Sequence, residues 1–284
     1  MKQICLSIFL VGFLCAGSIW SQTIGPSNGS CLIIGGGRLD TSIIHTFIRE
    51  AGGPQARIIV IPTAMATNPE DADSGYVRLD ARLQRWGFEN FEIMHTTDHA
   101  VANSMEFSGK IAAADAVWFT GGRQWRLVDA YAGTKTESAF HKVLEEGGII
   151  AGSSAGATIQ GSYLARGDSK TNTIMMGDHE VGFGFIENIA IDQHVLARNR
   201  QFDLFEIMEA HPGLLGVGLD ENTALLIKGT QARVLGSSYV LIYDGKKWDD
   251  RLLKYMPQTA DEQQFHLIKS GQLYDLSARQ VIKE

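Results

Sequence analysis

Cysteine and proline are scarce in this chain, at three and six of 284 residues. Two of the cysteines, Cys5 and Cys15, fall in an apolar amino-terminal stretch, which leaves Cys31 alone in the remainder and excludes an internal disulfide there. The shortage of proline excludes a proline-rich linker, and a collagen-like reading of the 31 glycines fails with it. Runs of lysine and arginine are missing too. With 25 basic and 32 acidic residues the formal charge is -7, and no cationic series exists to neutralise successive phosphates, so a nucleic-acid partner is disfavoured. What is present is a chain 44% hydrophobic and 20% charged, sufficient for an ordinary buried core without crosslinks.

The first residues read as an address. Lys2 precedes an uncharged apolar stretch over 4–14, followed by small and polar residues around Ser18 and Ser21. This is the pattern of a secretory signal peptide over 1–21, cleaved after Ser21, and it leads to a secreted or periplasmic location. The rival is a retained anchor, since 4–20 carries no charge, although that stretch is at the short limit for spanning a bilayer. Lipid attachment at Cys15 is disfavoured by the bulky Phe13 and Leu14 before it.

From 22 to 284 there is no repeat, low-complexity tract or long linker, and a single domain is expected. Apolar runs ending in glycine alternate with helical spacing. Strands are expected at 31–34, 57–62, 91–94, 116–120 and 148–151, and helices at 43–48, 76–86, 105–113, 125–131 and 137–146. That alternation implies an α/β architecture, a parallel sheet with helices on both faces. From about Thr223 short strands separated by glycine or serine turns predict a hairpin-rich carboxyl end.

Gly152-Ser153-Ser154-Ala155-Gly156 follows the strand at 148–151 and precedes a helix expected at 158–164. This is the setting of a nucleophile elbow, in which a sharp turn lifts the hydroxyl of Ser154 from the sheet and the Ala155 N–H faces a developing oxyanion. The bland alternative is a tightly packed small-residue turn. A serine hydroxyl needs a base, and among eight histidines His194 has the most polar setting, after the apolar run 186–191 and within Asp192-Gln193-His194, with Arg198 and Arg200 beyond. A histidine bonded purely for structure is an even competitor. Asp220-Glu221 ends another apolar run and offers an acid to orient the imidazole, with alternation unable to choose between the two. Gly35-Gly36-Gly37 fails the dinucleotide pattern because Asp40 stands where its third glycine belongs. His95 and His99, and Asp178-His179-Glu180, lack the partners and spacing of a metal centre, so no cofactor and no metal are expected.

These segments, together with Phe119-Thr120-Gly121-Gly122 and Gln124, resemble cyanophycinase and its relatives in the serine peptidase family that includes aspartyl dipeptidase. The resemblance runs from Cys31 to about Tyr243. It implies a flavodoxin-like fold related to class I glutamine amidotransferases. It also implies a triad of Ser154 as nucleophile, His194 as base and Glu221 as orienting acid, with Gly122 and Ala155 N–H groups as the oxyanion hole. Substrate-pocket roles fall by the same resemblance on Gln124, Asp192, Gln193, Arg198 and Arg200. Two positions depart from the family pattern. Arg123 stands where an acid is frequent, and Asp203 where a third arginine is expected.

The expected function is therefore that of a secreted serine exopeptidase releasing β-aspartyl-arginine from cyanophycin through an acyl-enzyme. The alternatives are an aspartyl or isoaspartyl dipeptidase on small acidic peptides and a non-catalytic amidotransferase-like binding protein. The expected partner is a peptide or cyanophycin, with no membrane contact after signal removal and a homodimer compatible with the reading. An amidotransferase would want cysteine at the elbow, where this chain has serine.

Overall fold

Four short runs, buried but for Ser153 at the end of the last, set the middle of the architecture in a computed structural model that describes residues 22–65, 72–244 and 265–283. The expected leader at 1–21 lies outside the described residues. The runs are the strands β1 (Ser30–Ile34), β2 (Ile58–Ile61), β4 (Ala116–Phe119) and β5 (Ile149–Ser153), and β3 (Phe91–Ile93) forms one edge. Strands buried on both faces have no polar side to show, which is why they read as continuous apolar runs. Alternate residues serve different cores. Ile33, Ile59, Ile61, Val117, Phe119 and Ile150 join one cluster, while Leu32, Ile34, Ile58, Val60, Trp118 and Ile149 join another.

Helices cover both faces, as expected. The second cluster packs beneath α1 (Thr41–Glu50), through Ile43, Ile44 and Phe47, and α2 (Ala72–Trp86), through Leu79 and Leu83. After the short α3 (His99–Ala102), the first cluster receives α4 (Met105–Ala112), α5 (Trp125–Tyr131) and α6 (Lys135–Glu145) through Ile111, Leu127, Tyr131, Phe140 and Val143. Local capping agrees with these limits: Asp40, Ser104 and Thr134 each accept a backbone N–H at a helix start.

Two expectations need correction. The helix expected at 158–164 is instead a single turn, α7 (Ala155–Thr158), followed by β6 (Gly161–Tyr163). The residues after Thr158 are claimed by pairing with β7 (Ile186–Gln193), a long-range contact that local spacing does not reveal. There are also two sheets where one was expected. In the second, β6, β7 and β8 (Leu215–Leu219) run parallel, and β11 (Tyr239–Tyr243) and β12 (His266–Lys269) add antiparallel beyond β8, with α8 (Leu204–Ala210) between β7 and β8 in sequence. Residues of both sheets, including Ile189, Ile191, Val217 and Ile242, enter the first cluster, so the sheets share one core.

The first sheet has nine strands, ordered β14-β13-β10-β9-β1-β5-β4-β2-β3. β9 (Thr223–Lys228), β10 (Gln231–Gly236), β13 (Leu273–Asp275) and β14 (Gln280–Ile282) extend it antiparallel beyond β1. The hairpin-rich carboxyl end is thus divided between the sheets. A flavodoxin order would set the first strand between the second and third. Here β1 lies between β5 and β9, so the architecture is mixed α/β with helices on both faces but without that strand order.

Candidate active site

The carboxyl ends of parallel strands form a natural crevice, because successive crossovers leave their loops there. The turns after β1, β2, β4 and β5 all open into one cleft of about 790 Å³, whose lining includes Gly36, Met65, Gly121, Ser153, Ser154 and His194. Ser154 directly follows β5 with φ 56° and ψ -114°, a conformation that non-glycine residues seldom hold, and its N–H is fixed by the Ile34 carbonyl at 2.8 Å. The elbow needs its small residues. A Cβ on Gly156 would stand 2.5 Å from the Phe119 carbonyl oxygen on the neighbouring strand.

β7 and β8 end beside this turn. His194, immediately after β7 and also at φ 56°, donates its backbone N–H to Gly35 at 3.2 Å. Its Nε2 lies 3.0 Å from Ser154 Oγ, and its Nδ1 lies 2.6 Å from Glu221 Oε1. Serine, imidazole and carboxylate thus form one hydrogen-bonded chain. Burial pushes the imidazole below its ordinary pKa, a shift the Glu221 carboxylate opposes and the nearby Arg198 and Arg200 reinforce. An imidazole kept neutral near neutral pH can accept a proton from the hydroxyl.

The two acids after β8 differ in their hydrogen bonds. Asp220 is buried, accepting from Leu196 and Ala197 N–H at 3.1 and 2.8 Å and from Ser238 Oγ at 2.6 Å, so it ties the loop after His194 to its surroundings. Glu221 faces the imidazole. The glycine turn that failed as a dinucleotide site has a role here that sequence reasoning missed. Gly36, at φ 110°, lets the backbone approach so closely that an added Cβ would lie 2.3 Å from His194 Cε1, while one on Gly37 would lie 2.6 Å from Glu221 Oε2.

The turn after β4 completes the near side. A Cβ added to Gly121 would lie 3.3 Å from Ser154 Cβ, which puts the Gly121-Gly122 backbone against the nucleophile turn. Ala155, first residue of α7, has no earlier helical turn to receive its N–H.

The residues expected to shape a substrate pocket divide into two groups. Gln193 is next to the hydroxyl, its Oε1 3.4 Å from Ser154 Oγ, and Arg200 reaches the Gln193 carbonyl at 3.5 Å. Arg198 is exposed. Gln124 and Asp192 are instead buried and engaged within the protein. The Gln124 amide donates to the Ala165 and Arg166 carbonyls at 2.7 and 2.9 Å. Asp192 forms a two-pronged pair with Arg166, at 2.7 and 2.9 Å, with both side chains at 2% exposure or less. Arg166 also donates to Asp203. Arg123, the other departure from the resemblance, donates to the Asp168 and Thr171 carbonyls at 2.7 and 2.6 Å. Both departures are therefore absorbed into one support for the 165–172 segment. Arg166 itself carried no signal in the sequence beyond being a lone arginine in a small-residue stretch.

The histidines set aside as metal ligands have other partners. His95 Nδ1 lies 2.8 Å from Thr63 Oγ1, and His179 sits between Asp129 and Asp178. Among the described residues no group of three or more His, Cys, Asp or Glu side chains could hold a metal ion. No described helix is long and apolar enough to cross a membrane.

The model of peptidase family S51 matches residues 31–235. A cyanophycinase of Nostoc sp. is 28% identical over 278 residues, spanning 94% of this chain and 92% of that protein. A cyanophycinase of Geminocystis herdmanii is 27% identical over 262 residues, spanning 88% and 95%. Among solved structures, a peptidase from an acI-B1 Actinobacterium superposes with a TM-score of 0.64 at 21% identity, covering 89% of this chain and 98% of the other. A protein described as a putative peptidase E from Listeria monocytogenes EGD-e gives 0.51 at 14% identity, covering 74% and 99%. The two structures share the fold.

Proposed function

Because this chain belongs to peptidase family S51 and is a serine-type peptidase, we propose that it hydrolyses aspartyl peptide bonds, with cyanophycin as substrate and Ser154, His194 and Glu221 as its triad. The observation that carries this reading is the hydrogen-bonded chain from Ser154 Oγ through His194 to Glu221, with Ser154 and His194 lining an open cleft. The cyanophycinases similar to it over most of its length support the substrate.

The chemistry follows from the geometry. As Ser154 Oγ attacks the scissile carbonyl, His194 Nε2 takes its proton and Glu221 stabilises the imidazolium. The oxygen that gains charge is met by the N–H groups of Gly122 and Ala155, each such donor being worth about 2.7 to 4 kcal/mol of barrier. The proton passes to the leaving amine, which departs with the C–N bond and leaves an ester on Ser154. Water then gives a proton to His194 and attacks the ester carbonyl, and the proton returns to Ser154 as the acid is released. Gln193, Arg198 and Arg200 flank the reacting carbonyl in this reading. Asp192 and Gln124 hold the strand end and the 165–166 segment from behind.

The test is incubation of protein from Gln22 onward with cyanophycin, with mass spectrometry for β-aspartyl-arginine. The parent releases it, and Ser154→Ala loses activity on the order of 10⁴-fold or more. Absence of product from the parent, with turnover of short aspartyl or isoaspartyl peptides, would replace cyanophycin by a dipeptidase substrate. That second reading is favoured by Arg123 and Asp203, since the family's usual acid and arginine are both missing there. Export belongs to the same proposal, and amino-terminal sequencing of the mature protein would begin at Gln22; a sequence beginning at Met1 would overturn it.

A further inference from the structure

The cleft lined by Ser154 and His194 is also lined by Arg82 and Arg85 of α2 and by Arg38 of the turn after β1. Arg82, Arg85 and Trp86 are spaced i, i+3, i+4, so they are neighbours on α2, with Trp86 packed against the core that Leu79 and Leu83 enter. The guanidinium of Arg82 lies 5.2 Å from the centre of the Trp86 ring, which with Trp118 supplies aromatic surface to the same cleft. Among the described residues no aspartate or glutamate lines it. Among the described residues none of these three arginines forms an ion pair. Burial and then the charge of Arg85 hold Arg82 below its ordinary pKa, so the two cations stand close enough to oppose each other. In addition, the hydroxyl of Thr120, buried in the cleft lining beside the elbow, has no hydrogen-bond partner. A chain of net charge -7 thus places three arginines, without an ion pair among the described residues, in the lining of the cleft that holds Ser154.

We propose that Arg38, Arg82 and Arg85 form a carboxylate-binding subsite that holds free carboxylates of the substrate flanking the scissile bond. It is separate from Gln193, Arg198 and Arg200, which come from the β7 side. The inference rests on the reading of Ser154 as nucleophile, since a peptide bound to it would share the cleft with these arginines. Guanidinium groups suit the task because each can grip a carboxylate through two parallel N–H bonds. An indole beside them gives the peptide's apolar atoms a surface.

Binding can be measured without turnover. Ser154→Ala protein is titrated with a dye-labelled tetra-aspartate peptide, its tetra-asparagine counterpart and a dye-labelled single-stranded oligonucleotide, read by fluorescence anisotropy. The Ser154→Ala protein binds the aspartate peptide most tightly. Adding Arg82→Gln and Arg85→Gln weakens it about tenfold or more, the loss of one or more charge-assisted contacts. Arg38→Gln, on a different element, weakens it in the same direction, and Lys142→Gln, removing an equal charge from α6, leaves it unchanged. Equal binding by the Arg82 and Arg85 variant, or tighter binding of the oligonucleotide, overturns the subsite. A parent protein that hydrolyses no peptide, while Ser154→Ala still binds in this charge-dependent way, would overturn the peptidase chemistry proposed above and leave the subsite standing.

Discussion

In the proposed mechanism His194 is the residue whose protonation the reaction turns on, and the groups around it pull in opposite directions. Burial lowers its pKa first and most, Glu221 raises it, and Arg198 and Arg200 lower it again, with a net position below the ordinary imidazole value of 6.5. The base must be neutral to act, so kcat/KM should rise with pH through a midpoint below 6.5 and then level off. Arg198→Gln removes a cation and should move that midpoint upward. Glu221→Gln removes the opposing anion and should move it downward, while lowering the plateau by up to about 10⁴-fold because the imidazolium loses its partner. A pH–rate profile of the three proteins checks both directions. If Glu221→Gln raised the midpoint, or left the plateau intact, Glu221 would not be the orienting acid.

At the scale of elements, the site depends on where strands end and on what holds those ends. The pair of Arg166 with Asp192 joins the 165–172 segment to the last residues of β7, just before His194, with both side chains almost wholly buried. Arg166→Met would leave a buried carboxylate without its cation, at a cost of about 3 to 5 kcal/mol in folding stability. Urea denaturation should show a lower midpoint at unchanged slope. Gly36→Ala tests the turn after β1 differently. Its methyl group would meet the His194 ring, so activity should fall while circular dichroism stays that of the parent. Much of this was legible beforehand. The buried parallel strands, the elbow and the polar ends of β7 and β8 each carry a local pattern, which is why Ser154, His194 and the pair Asp220-Glu221 could be singled out. What stayed hidden depends on pairing between distant segments. The turn from α7 into β6, the second sheet, the close approach of Gly36 to His194 and the Arg166 partnership are fixed only when β6, β7 and β1 meet. Period alone likewise could not assign Gln124 and Asp192 to the interior, since a polar residue at a strand end looks the same whether it faces substrate or a buried arginine.

Taken whole, the molecule sets a local field against a global one. Its net charge of -7 repels an acidic peptide at a distance, while the arginines of the cleft attract it on arrival. Salt distinguishes the two, because the screening length falls from about 10 Å at 0.1 M to about 3 Å at 1 M and weakens whichever field governs capture. If the cleft dominates, kcat/KM for an acidic peptide should fall as sodium chloride is raised, whereas a neutral peptide of the same length should change little. Labelling of Ser154 by an uncharged fluorophosphonate should be flat across the series, since the reagent carries no charge for the wall to hold; this separates loss of capture from damage to the triad. A rise in kcat/KM with salt would mean that the global charge governs encounter and that the arginine wall adds too little to offset it. Replacing Arg82 and Arg85 by glutamine should then flatten the salt dependence for the acidic peptide in the first case and steepen its rise in the second, so one variant read at several salt concentrations decides which field guides substrate to the nucleophile.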